Sequence, residues 1–176
     1  GNIADDLIKK VNDASQKINV GPWNHKDSAM GPVISQEHLD KIHKYIDSGI
    51  KEGADLINDG RNLKLQGYEN GYFIGPTIFD NVKKEMTIYK DEIFGPVLSV
   101  VRVDSYEEAL KLINDHKFGN GTSIYTSDGD ISRHFTSHSQ IGMVGVNVPI
   151  PVPMAFHSFG GWKQSIFGDH SMHGIE

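Results

Sequence analysis

The sequence predicts an α/β fold: a parallel-rich sheet with covering helices. Three observations point there. Strand and helix signals alternate from residue 97 to residue 148, the order that places parallel strands under crossover helices. Two amphipathic stretches precede them, with apolar residues at helical spacing. A long segment rich in proline, glycine and aromatics then follows the last strand signal, at the end where open α/β sheets bind their ligands.

In chain order, Ile3, Leu7, Ile8, Val11, Ala14 and Ile18 form one helical stripe, broken by Gly21 and Pro22. A second helix is predicted from Ser35, an N-cap type, with Glu37 favourably placed in the first turn. Its apolar face is Leu39, Ile42, Ile46 and Ile50, and Gly53 fits its stop. Short strand-like pieces, Tyr72–Ile74 and Thr77–Phe79, lie between the turn signals Asp59-Gly60 and Gly75-Pro76 and beyond. Val97 to Val103 is then a predicted strand. Ser105 to Glu108 has the pattern of a capping box opening a helix with Ala109, Leu110, Leu112 and Ile113 inward. Thr122–Thr126 and Met143–Val148 are two more strands, with a shorter helix marked by Ile131 and Phe135 between them.

Residues 149–176 carry Pro149, Pro151, Pro153, Gly160, Gly161, Gly168 and Gly174 among Phe156, Phe159, Trp162 and Phe167. Disordered segments are poor in aromatics, so this is expected to be an ordered, site-lining loop.

Composition narrows the function. The 176 residues suit one domain. A net charge of -6 argues against nucleic acid as a partner, because phosphate recognition needs clustered Lys and Arg. No apolar run is long enough to cross a bilayer, and the first residues lack the pattern of a signal peptide. With no cysteine, the chain has no disulfide, no thiolate metal site and no cysteine nucleophile. Gly119-Asn120-Gly121 lacks the third glycine of a dinucleotide fingerprint, and Gly161 to Ser165 lacks the spacing of a phosphate loop. His134 and His138, four apart on a helix, have no third ligand, and His170 with His173 fares no better, so no metal site is expected.

Asp91-Glu92-Ile93-Phe94-Gly95-Pro96-Val97 has two readings. It is either an acidic turn feeding a strand, or a carboxylate and an aromatic that serve a nucleoside: Glu92 can accept from two vicinal ribose hydroxyls, and Phe94 can lie on a flat heteroaromatic ring. Glu92 to Val97 resembles the Glu-Ile-Phe-Gly-Pro signature of aldehyde dehydrogenases. Met30 to Ser35, Gly75 to Ile78 and Phe159 to Ser165 resemble further segments of that family, in the same order. Within it, Gly119 to Thr122, Gly145 to Pro153, and Gly168-Asp169 with His173-Gly174 resemble the methylmalonate-semialdehyde dehydrogenase group.

The resemblance implies part of a catalytic domain spanning 1–176, from its C-terminal portion. It implies covalent catalysis in which a cysteine thiolate attacks the aldehyde, hydride passes to NAD, and coenzyme A takes the acyl group. No metal takes part. Glu92 would hold the nicotinamide ribose and Phe94 would pack near the nicotinamide. Phe159 and Phe156 would line the pocket for a small-molecule aldehyde, and Asn147 would support the entry to their loop without a catalytic role. It further implies a homo-oligomer in the cytoplasm, or in the mitochondrial matrix of a eukaryote. The family's nucleophile segment, cofactor-binding domain and C-terminal oligomerisation strand are expected to be absent, leaving a fragment inactive by itself. Two other readings are a non-catalytic interaction module that kept the scaffold, and part of a hydrolytic aldehyde dehydrogenase.

Overall fold

The computed structural model describes residues 3–154 and 156–171. The chain divides into two compact units, Gly1–Arg102 and Val103–Glu176. No helix of the described residues is long and apolar enough to cross a membrane.

The first unit contains α1 (Ala4–Ser15), α2 (Gln36–Lys51), β1 (Asp55–Asn58), β2 (Thr77–Asp80), α3 (Thr87–Lys90) and β3 (Val97–Ser99). Its three-stranded sheet has the order β1-β2-β3, with β1 antiparallel and β3 parallel to β2. The core sits between this sheet and α2. Ile42, Ile46 and Phe79 are fully buried there, packed with Leu39, Ile74, Val82, Met86, Ile88 and Ile93. Burying each large apolar side chain stabilises the fold by about 1.5–3 kcal/mol, so this cluster carries the unit.

Helix α2 begins and ends where its sequence directs. The Ser35 hydroxyl accepts from the His38 N–H at 3.1 Å. At the other end Gly53 N–H bonds Ile50 O at 3.1 Å and Ala54 N–H bonds Gly49 O at 3.0 Å. These two bonds form a Schellman motif, and the φ of +91° at Gly53 explains the glycine. Helix α1 is shorter than its apolar stripe: Ile8 is buried, while Ile3, Leu7 and Ile18 are exposed. Arg102 fixes α1 to the sheet, donating to both carboxylate oxygens of buried Asp80 and, at 2.7 Å, to Asp5. Hydrogen bonds from Arg102 hold the Asp80 carboxyl below its ordinary range against the opposing cost of burial. Tyr72–Ile74, expected as a strand, is irregular. The strand expected over 97–103 is regular only through Ser99, although Val100 still donates to Phe79 O and accepts from the Val82 N–H.

The second unit contains α4 (Tyr106–Asp115), β4 (Phe118–Gly119), β5 (Gly121–Ile124), α5 (Gly129–His138), β6 (Met143–Val146) and β7 (Trp162–Lys163). Strands β5 and β6 are parallel, with Gly121 opposite Met143 and Ile124 opposite Val146, and α5 is the crossover between them. Strands β4 and β7 form an antiparallel pair. Buried apolar residues here are Leu110, Phe135 and Ile141. Ser105 caps α4 by accepting from the Glu108 N–H at 3.1 Å. Glu108 reaches back one residue further than a strict capping box requires, to the Asp104 N–H at 3.0 Å. Asp128 caps α5, accepting from the N–H groups of Asp130 and Ile131. Parallel pairing thus occurs in both units, but in separate small sheets rather than one continuous one.

Candidate functional site

Glu92 and Phe94 belong to the first unit, on the turn Asp91–Gly95 between α3 and β3. Ile93 points into the core at 7% exposure, which throws its neighbours outward: Phe94 is 79% exposed and Glu92 is exposed too. Phe94 holds a φ of +55°, a left-handed conformation costing a residue other than glycine about 1–2 kcal/mol. Neighbouring residues of α2 hold the turn in place. His38 Nε2 lies 2.7 Å from the Phe94 carbonyl oxygen, and its ring meets the Phe94 ring edge-on at 6.4 Å. Tyr45 Oη reaches Asp91 Oδ2 at 3.4 Å; burial first, then the Asp91 carboxylate, raises the pKa of that phenol. Between these two points Gly95 packs so closely on α2 that a Cβ there would lie 2.6 Å from Ile42 Cδ1. Residues 38, 42 and 45 share one helix face, so α2 serves as a flat bed for the turn.

An exposed carboxylate two residues from an exposed aromatic, on a backbone bound to a packed helix, suits a nucleoside. The carboxylate can only accept, as two vicinal hydroxyls require, and the aromatic offers a face for a planar ring. These residues are of the kind that could hold the ribose and ring of a nucleotide such as NAD.

Phe156 and Phe159 belong to the second unit. Phe156 is exposed, with the His157 ring 4.5 Å away, and Phe159 is half-buried. The segment holding them is ordered through backbone anchors rather than a core. At its start, Asn147 takes a φ of +57°. Its side-chain amide accepts from the Thr126 N–H and donates to the Thr126 carbonyl, both at 3.0 Å. That amide extends the β5–β6 ladder by one rung, the supporting role expected of it.

Further along, Lys163 Nζ donates to three carbonyls, of Ile113 at 3.2 Å, Asn114 at 2.9 Å and His116 at 3.0 Å. These groups end α4, where carbonyls lack helical partners and a cation is favoured. Ser165 Oγ accepts from the Gly119 N–H at 3.1 Å, and Gln164 N–H donates to Lys117 O. The Lys and Ser of the Gly161–Ser165 stretch are thus structural anchors. Sequence reasoning missed the role of Lys163 because its partners lie 47 to 50 residues away. It also missed His38, although a signal existed: a polar residue one turn before Ile42 on the apolar stripe of α2.

His134 and His138 stack face to face at 3.9 Å. His134 Nδ1 pairs with Tyr106 Oη at 2.8 Å, and His138 Nδ1 with the His134 carbonyl at 2.9 Å. Parallel rings direct their lone pairs side by side rather than at one ion. Among the described residues no group of three or more His, Cys, Asp or Glu could hold a metal. His173 and Gly174 lie outside the described residues.

Known proteins resemble this chain in sequence and fold. A malonate-semialdehyde dehydrogenase of Pseudomonas aeruginosa is 52% identical over 172 residues, 98% of this chain and 35% of its own length. A crystal structure described as a methylmalonate-semialdehyde dehydrogenase from Sinorhizobium meliloti, complexed with NAD, superposes with a TM-score of 0.96 at 56% identity, over 99% of this chain and 35% of that one. A methylmalonate-semialdehyde dehydrogenase from Oceanimonas doudoroffii gives 0.95 at 49%, over 99% of this chain and 36% of that one. The chain spans about a third of the length of the relatives it matches. Residues 1–176 match the profile of the aldehyde dehydrogenase family, and the chain belongs to that family.

Proposed function

We propose that this chain is part of the catalytic domain of an NAD-dependent, CoA-acylating semialdehyde dehydrogenase acting on malonate or methylmalonate semialdehyde. The observation that carries the proposal is the Asp91–Gly95 turn, which presents Glu92 and Phe94 to solvent from a backbone fixed to α2. The names of the relatives supply the substrate class, and the NAD complex of one of them supports the cofactor.

In this reading Glu92 accepts hydrogen bonds from the two hydroxyls of the nicotinamide ribose. Phe94 packs against the nicotinamide, setting which face meets the aldehyde. NAD, when bound, supplies the hydride acceptor. Phe159 and Phe156 line the aldehyde pocket, where apolar side chains exclude water that would otherwise hydrolyse an acyl thioester. Coenzyme A is the acyl acceptor, and no metal takes part. The covalent step needs a thiolate, and this chain contains no cysteine. The nucleophile therefore belongs to another segment of the enzyme, and this chain by itself would not turn over. The enzyme would be a homo-oligomer.

The test is to supply the full-length enzyme with malonate semialdehyde and NAD, with and without coenzyme A. Acetyl-CoA and carbon dioxide, formed in step with NADH, support the proposal. Free acid formed at a rate independent of coenzyme A favours a hydrolytic dehydrogenase. If no NADH appears with either, the enzymatic reading fails.

A further inference from the structure

We propose that His38 is a positioning residue for the nicotinamide half of the cofactor site, acting through the Phe94 carbonyl; this rests on the reading of Glu92 and Phe94 given above. Phe94 is a large aromatic in a left-handed conformation with 79% of its surface exposed. Side-chain burial cannot be what holds it there. A fixed group in contact with it is the His38 imidazole, 2.7 Å from the Phe94 carbonyl oxygen. A carbonyl only accepts, so Nε2 carries the hydrogen of this bond.

The imidazole is well placed for such a task. His38 lies in the first turn of α2, where Ser35 fixes its backbone N–H, and one turn before the fully buried Ile42. Its backbone therefore moves with the core. One hydrogen bond passes that rigidity to a strained, exposed residue whose ring would meet the cofactor. Without it, the Phe94 peptide is free to relax from its left-handed conformation, turning the ring and shifting Glu92 two residues away. Gly95 against Ile42 and Tyr45 at Asp91 keep the turn on α2, so the loss is in orientation rather than in fold.

The experiment uses the full-length enzyme with His38→Leu, His38→Gln and Phe94→Ala, measuring kcat and KM for NAD and for the aldehyde. His38→Leu is expected to raise the KM for NAD about five- to tenfold, the worth of one hydrogen bond that orders a binding group. The KM for the aldehyde and the melting temperature should stay near those of the parent. His38→Gln, whose amide N–H can still reach the carbonyl, should recover most of the loss. The proposal is overturned if Phe94→Ala raises the KM for NAD while His38→Leu does not. It is equally overturned if both His38 variants lower every parameter alike, the mark of a purely structural role. If Phe94→Ala leaves the KM for NAD unchanged, the assignment of the turn to the cofactor fails first.

Discussion

The two units support their candidate residues by opposite means. In the first, Glu92 and Phe94 stand on a turn seated against α2, whose Ile42 and Ile46 are completely buried. In the second, Phe156 and Phe159 lie on a segment secured by side chains that bond to backbone: the Asn147 amide on Thr126, the Lys163 ammonium on the end of α4, and the Ser165 hydroxyl on Gly119. Apolar burial is non-directional and tolerates shape changes that keep volume, whereas a side chain bound to carbonyls leaves them unsatisfied when it is lost. The first unit should therefore fail by losing packing, and the second by local release of its loop.

Substitutions can separate these modes. The largest effect is expected from Ile46→Ala, which opens a cavity in the main core at a cost of about 2–5 kcal/mol. Its urea midpoint should fall steeply. An unchanged midpoint would mean that α2 does not carry the first unit. Lys163→Met keeps the stem and removes the donor to three carbonyls. A loss of about 1.5–3 kcal/mol is expected, with faster hydrogen exchange confined to Gly119, Gln164 and Ser165 and their neighbours. Exchange quickening throughout the second unit would show that the loop and its scaffold unfold together.

A pH series probes the Asp80–Arg102 pair. The folded-state pKa of Asp80 lies below its ordinary value because Arg102 bonds the charged form. Its contribution is therefore complete above the unfolded value of about 4 and is lost as pH falls through the lower folded value. Asp80→Asn should flatten the decline in stability below about pH 4; an equally steep decline would assign the acid sensitivity to other carboxylates. The smallest change belongs to Asp128→Ala, which removes an exposed cap of α5. Its melting temperature should drop by only a few degrees, and a collapse of the second unit would contradict the shared support from Lys163 and Asn147.

The same contrast explains what could be read beforehand. Helix α2 was legible from cap to stop because Ser35, the stripe Leu39–Ile42–Ile46 and Gly53 are local signals. The β5–α5–β6 crossover was legible from its alternation. Glu92 and Phe94 stood out because their pattern is chemical as well as local. What stayed hidden was set by distance along the chain. Lys163 meets α4 across some fifty residues, and His38 meets Phe94 across 56. Neither pairing has a periodicity. The strand expected at 97–103 was overlong: its ladder with β2 ends at Ser99, with last bonds at Val100, and the valine-rich run carries no local signal of that end.

The most direct test of the functional account is the affinity of the full-length enzyme for NAD, by calorimetry, with and without Glu92→Ala. Glu92 is exposed and outside the core cluster, so its loss should leave the melting temperature unchanged. Affinity should fall about tenfold or more, as expected for removing a charged acceptor from two hydroxyls. An unchanged affinity would show that the Asp91–Gly95 turn is only a well-packed corner leading into β3, and that NAD is held elsewhere.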